Sequence, residues 1–137
     1  MDKKKILFLC TGNSCRSQMA EGWTNTLKAD KYIAYSAGIS AKVLNPKAVK
    51  AMEEVGVDIT SQKSQVITEF SKENIDLVVT VCGHAHDTCP EFPRTAEVKH
   101  FPFDDPPELE LNEVSEEARM GHYRRVRDEI KAFVETL

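Results

Sequence analysis

The residues best equipped for covalent chemistry lie between Phe8 and Ser17, in FLCTGNSCRS. An apolar run ends at Cys10, passes through Thr11, Gly12, Asn13 and Ser14, and meets Cys15, Arg16 and Ser17. Two thiols around a small polar loop admit three chemistries: a metal clip, a disulfide, or a thiolate nucleophile seated in an anion cradle. Small residues ahead of a helix let backbone N–H groups converge on one anion at the positive end of the dipole. Gly12 permits a left-handed turn in such a loop. Arg16 adds a planar fork suited to two oxygens of a tetrahedral oxyanion. The same field favours thiolate over thiol at Cys10, and Ser17 can donate a hydrogen bond to the sulfur. A buried strand-end cysteine beside a surface arginine is the plainer alternative, and the strand, glycine and helix context argues against it.

Two further groups carry chemistry. CGHAHDTC places Cys82 and Cys89 seven positions apart with His84 and His86 between them. Thiolate and imidazole suit Zn²⁺, although the Cys–Cys separation is wider than the usual zinc spacing. The histidines also read as solvated loop residues. In DDPP, Asp104 and Asp105 offer a proton donor to a departing oxide, or serve only as turn residues ahead of proline. Cys15 reads as a small apolar residue packing the first helical turn.

These groups need elements to position them. KKILFLC (4–10) predicts a buried strand broken by Gly12–Asn13, and helical spacing of Met19, Ala20, Trp23 and Leu27 predicts a helix from Ser17 through Ala29. KYIAYSAG (31–38) reads as a second strand. Asn45 followed by Pro46 marks a helix start, with Val49, Met52 and Val55 inward and Gly56 at its end. A short helix is expected at 67–72, a strand apolar on both faces at 74–82, and a last strand at 96–103 stopped by DDPP. Val114, Ala118, Met120, Tyr123, Val126, Ile130, Phe133 and Val134 form one stripe on a long C-terminal helix. The charges at Arg119, Arg124, Arg125, Arg127, Asp128 and Glu129 read as its solvated face. The order predicts a single α/β domain over residues 1–137: an open four-stranded parallel sheet flanked by helices on both faces. Cys10 then falls at the carboxyl end of the first strand, where such sheets bind ligands.

The chain of 137 residues has a net charge of −4, which argues against a nucleic-acid binder. The apolar run at the N-terminus is too short for a signal peptide, and no stretch is long enough to span a membrane. A cytoplasmic monomer is expected, where four cysteines point to catalysis, redox chemistry or metal rather than structural disulfides.

CTGNSCRSQMAEG (10–22) resembles the active-site loop of the low-molecular-weight protein tyrosine phosphatase fold, and most closely that of the thioredoxin-coupled arsenate reductases built on it. The resemblance continues through YSAGI (35–39), NPKAVKAMEEVGVDI (45–59), DLVVTVC (76–82), FDDP (103–106) and RRVRDEIK (124–131). It implies that Thr11 to Arg16 bind arsenate or a phosphate-like oxyanion, that Cys10 attacks it, and that Cys82 then attacks the Cys10 sulfur. Cys89 would resolve the resulting disulfide and thioredoxin would reduce Cys82–Cys89, with the 83–93 segment moving to allow it. The acid of the family pattern precedes proline, which is Asp105. No bound cofactor is implied beyond a K⁺ ion, for which Asn13, Glu21 and Ser36 match the pattern while Gln65 stands where an aspartate belongs. A phosphatase acting on phosphotyrosine or small esters is the alternative activity of the same loop, although no tyrosine pair follows Asp105.

Overall fold

The computed structural model describes residues 3–70, 74–81 and 97–137. Cys82, His84, His86, Cys89, the 83–93 segment and the end of the expected 67–72 helix lie outside the described residues.

Strand β1 (Lys4–Cys10) is buried from Ile6 to Cys10, whichever way each side chain points. Because successive strand residues face opposite sides, a continuous buried run means a sheet covered on both faces. β1 pairs in parallel with β2 (Tyr32–Gly38) on one side and β3 (Leu77–Thr80) on the other, and β4 (Glu97–His100) adds to β3 in parallel. The sheet order is therefore β2-β1-β3-β4, and the expected single α/β domain with helices on both faces is the observed one. Parallel pairing aligns the carboxyl ends, so Cys10 sits opposite Gly38 at one rim of the sheet.

The last two strands are shorter than expected. Their ladder runs only from Leu77 opposite Glu97 to Thr80 opposite His100. Pairing does not stop there, because Phe101 and Phe103 still donate to Thr80 and Val81 carbonyls at 2.9 and 3.0 Å. Pro102 between them falls at the position that faces away from β3, where an edge strand tolerates a missing N–H. All four β4 residues are exposed, as at an edge.

Helix α1 (Arg16–Leu27) begins one residue before the expected Ser17 and stops before Ala29, with Met19, Ala20 and Trp23 buried. α2 (Pro46–Glu53) starts as predicted: Asn45 Oδ1 accepts from Lys47 N at 2.8 Å and Ala48 N at 3.3 Å. Its inner face is Ala48, Ala51 and Met52; Val55 is exposed because the helix has already ended. Gly56 makes the exit in the left-handed region, φ 81°. Ile67–Phe70 forms a 3₁₀ turn.

DDPP does more than stop a strand. Pro106 opens a short helix, α3 (Pro106–Leu109), followed by a 3₁₀ turn and α4 (Glu116–Glu135), capped by Ser115 Oγ on Ala118 N at 3.1 Å. Val114 precedes that cap and is 96% exposed, so it does not belong to the buried stripe, and Ala118 is only half-buried. Arg127 also departs from expectation. It is buried, donating through Nη1 to the Ala51 carbonyl at 2.9 Å and to Glu54 at 3.2 Å. The guanidinium thus ties the end of α2 to α4 instead of facing solvent.

One close approach fixes the rim. A Cβ at Gly38 would stand 2.4 Å from the Ser40 carbonyl oxygen and 2.8 Å from both Asn13 N and the Thr11 carbonyl oxygen, all backbone atoms that cannot swing aside. Gly38→Ala is expected to destabilise the fold by about 1–3 kcal/mol, the usual cost of overpacking. Urea denaturation checks it, and an unchanged midpoint would mean the rim has slack that the packing does not suggest.

Candidate active site

The chain between Cys10 and Arg16 has no ladder of its own, so its peptide groups must be satisfied from outside. Its carbonyls are: Cys10, Thr11, Gly12 and Ser14 accept from the backbone N–H of Ile39, Ser40, Lys42 and Asn45 at 3.3, 3.0, 2.8 and 2.8 Å. The Asn13 carbonyl accepts from Gln18 Nε2 at 2.9 Å. With the oxygens drawn outward to the segment leaving β2, the amides of residues 12–16 donate to no protein group among the described residues. Helix α1 carries no side-chain cap at Cys15, unlike α2 and α4. A ring of free N–H groups at an uncapped helix N-terminus is built to receive an anion.

Asn13 holds this ring. It is fully buried and left-handed, φ 51°, a conformation that asparagine tolerates better than most residues. The expected left-handed position at Gly12 is therefore corrected: the turn is made at Asn13. Gly12 leaves room for the Lys42 stem, since a Cβ there would stand 2.9 Å from Lys42 Cδ and the lysine would have to give way. Asn13 Oδ1 accepts from Gln65 N at 2.7 Å, and its Nδ2 donates to Ser17 Oγ at 2.9 Å. Ser17 thus uses its oxygen as an acceptor, leaving its hydroxyl proton to be given elsewhere.

The loop forms one wall of a cavity of about 450 Å³ bounded by Cys10, Gly12, Cys15, Arg16, Lys42 and Asp105, among others. Arg16 is nearly buried and held from behind: Nη1 donates to the Phe103 carbonyl at 2.9 Å, and Nη2 stands 3.6 Å from Asp105 Oδ1. Asp104 turns away to pair with Arg125 at 3.1 Å. Cys15 is buried, and desolvation pushes its thiol well above the ordinary range, so it stays protonated. Such a thiol is a poor nucleophile.

Glu21 and Ser36 meet behind the loop, Ser36 Oγ donating to Glu21 Oε1 at 2.6 Å. Burial pushes Glu21 up to about 7 from its ordinary 4.5, and no lysine or arginine pairs with it among the described residues. Glu21 and Ser36 offer hard oxygen donors with one desolvated carboxylate, while both Asn13 oxygens already accept, from Gln65 N and Gln18 Nε2. Gln65 enters through its backbone, the N–H on Asn13 and the carbonyl on Gly38 N at 2.8 Å, and brings no charge.

Three cavity-related residues were not legible in sequence. Lys42 and Asn45 reach the site because β2 exits beside β1, a non-local fact of topology. Tyr123 is buried under them, accepting from Asn45 Nδ2 at 3.1 Å and donating to Glu110, which also pairs with Lys47. Tyr123 read only as part of the α4 stripe, and its hydroxyl gave no separate signal.

The sequence model of the low molecular weight phosphotyrosine protein phosphatases matches residues 5–137. The chain belongs to that family. Its relatives within the family include an arsenate reductase of Halalkalibacterium halodurans, 52% identical over 99% of both chains. An arsenate reductase of Bacillus subtilis is 51% identical, also over 99% of both chains. A solved structure described as an arsenate reductase in the phosphate binding state superposes with a TM-score of 0.81 at 36% identity, covering 97% of this chain and 95% of that one. The low molecular weight phosphatase fold thus accounts for the whole described chain, and no helix among the described residues is long and apolar enough to cross a membrane.

Glu21 gives a pH prediction. Its folded pKa lies above the unfolded one, so its contribution is complete below about 4.5 and lost as pH rises through about 7. Urea midpoints in potassium-free buffer should fall across that window in wild type and fall less in Glu21→Gln. Equal slopes in the two proteins would contradict a desolvated carboxylate at this position.

Proposed function

We propose that this protein reduces arsenate to arsenite, with thioredoxin as the electron donor. The observation that carries the proposal is the cavity itself, a cysteine at the sheet rim facing uncapped amides and an arginine already oriented. Support for arsenate in particular comes from relatives named arsenate reductase at 51–52% identity over nearly the full chain, and from the additional thiols at Cys82 and Cys89.

The oxyanion binds on the amides of Thr11 to Arg16, with the guanidinium spanning two of its oxygens. The Cys10 thiolate attacks As(V). An S–As bond forms, and a hydroxyl group departs as water with a proton supplied by Asp105, which lines the cavity. The Ser17 hydroxyl, braced by Asn13, donates to the sulfur and keeps it thiolate. The Cys82 thiolate then attacks Cys10 Sγ. The S–S bond forms as the S–As bond breaks, and its electron pair leaves on arsenic as arsenite. Cys89 attacks Cys82, returning Cys10 as thiolate, and the dithiol of thioredoxin reduces the Cys82–Cys89 disulfide. K⁺, held by Asn13, Glu21 and Ser36, would add positive charge behind the loop. A monomer in the cytoplasm is consistent with this chemistry, since free thiols must be kept reduced there.

Arsenate-dependent NADPH oxidation with thioredoxin and thioredoxin reductase tests the proposal. Cys10→Ser, Cys82→Ser and Cys89→Ser should each abolish turnover, whereas Asp105→Asn should slow it about 100-fold or more. Full activity in Cys82→Ser or Cys89→Ser would sink the relay. Hydrolysis of a small phosphate ester without any arsenate turnover in wild type would instead make the protein a phosphatase.

A further inference from the structure

The positive charge of the cavity is not all used by its known parts. Arg16 is partly neutralised by Asp105 at 3.6 Å. Lys42 lines the same cavity, is exposed, and pairs with no carboxylate among the described residues. Its position is not accidental. The Lys42 N–H is fixed on the Gly12 carbonyl at 2.8 Å, and its aliphatic stem lies against Gly12, where even a methyl group would stand 2.9 Å from Cδ and 3.2 Å from Cγ. A stem laid across the smallest residue of the anion loop puts a positively charged side chain on the wall of the anion site.

That charge matters because the chain as a whole is repulsive. With a net charge of −4, the long-range field opposes a dianion, and only local positive charge can reverse it near the cavity. A flexible, strongly hydrated ammonium group on the cavity wall attracts an anion without fixing its geometry, whereas the buried planar guanidinium fixes geometry without reaching into solvent.

We propose that Lys42 recruits the oxyanion: it raises the rate and affinity of anion capture and takes no part in bond-making. The proposal rests on the oxyanion cradle described above. It also predicts a preference for the dianionic over the monoanionic form of a tetrahedral oxyanion, since a second cation gains more from the second charge.

The test uses inorganic phosphate as a binding probe, followed by calorimetry at about 20 mM and about 300 mM salt, where screening of an exposed site differs strongly. Arsenate kinetics are measured alongside. Lys42→Gln should weaken phosphate binding about 3- to 10-fold at low salt and much less at high salt, with Lys42→Glu worse and Lys42→Arg close to wild type. In turnover the same variants should lose kcat/KM with kcat unchanged. Equal phosphate affinity in Lys42→Gln and wild type at low salt would overturn the proposal. So would a loss that is the same at both salt concentrations, because that would mark a packing role for the stem. If wild type binds phosphate in a Lys42-dependent way yet turns over no arsenate, the reductase reading fails while this inference stands. If wild type binds no phosphate, the cradle and the inference fall together.

Discussion

The anion loop depends on one buried amide. Asn13 supplies a left-handed backbone, a side-chain acceptor for the Gln65 N–H, a donor to Ser17 and a carbonyl for Gln18. Two of these bonds join the loop to α1, and the third joins it to a residue more than fifty positions away in sequence. Five residues without regular structure, 11–15, are thereby held open. An aspartate would keep the acceptor and lose the donor, and a glycine would keep the conformation and lose both. Only an amide serves both neighbours at this torsion.

The rest of the architecture follows from the need to surround that loop with acceptor-hungry backbone. Parallel pairing of β1 with β2 brings the exit of each strand to the same rim, so residues 39–45 have N–H groups to spare where loop carbonyls need them. Gly38 lets the two exits touch. Asn45 then finishes the wall with its N–H on Ser14, caps α2 with its side-chain oxygen, and reaches Tyr123 of α4 with its amide nitrogen. The C-terminal helix, distant in sequence, is in this way part of the floor beneath the site.

Much of this was legible because it is local. The strand-to-helix switch around Cys10, the Asn45–Pro46 start and the parallel order all follow from period and capping within a few residues. What escaped was set by contacts across the chain. Arg127 looks like any other charge on α4 until the end of α2 is placed against it. Val55 has the right spacing for the inner face of α2 but falls beyond the last turn. Glycine and asparagine both tolerate a left-handed torsion, so the sequence alone did not distinguish Gly12 from Asn13. The role of Gly12 became visible only with the Lys42 stem lying over it.

Cys15 shows what desolvation does to one of the two loop thiols. Both loop thiols are buried and border the same cavity, and at Cys15 desolvation keeps the proton in place. In the proposed reduction an oxidant is handled next to the loop sulfurs, and coupling of the wrong pair of thiols would close the loop on itself. Holding the nearer thiol as the neutral acid removes it from that competition.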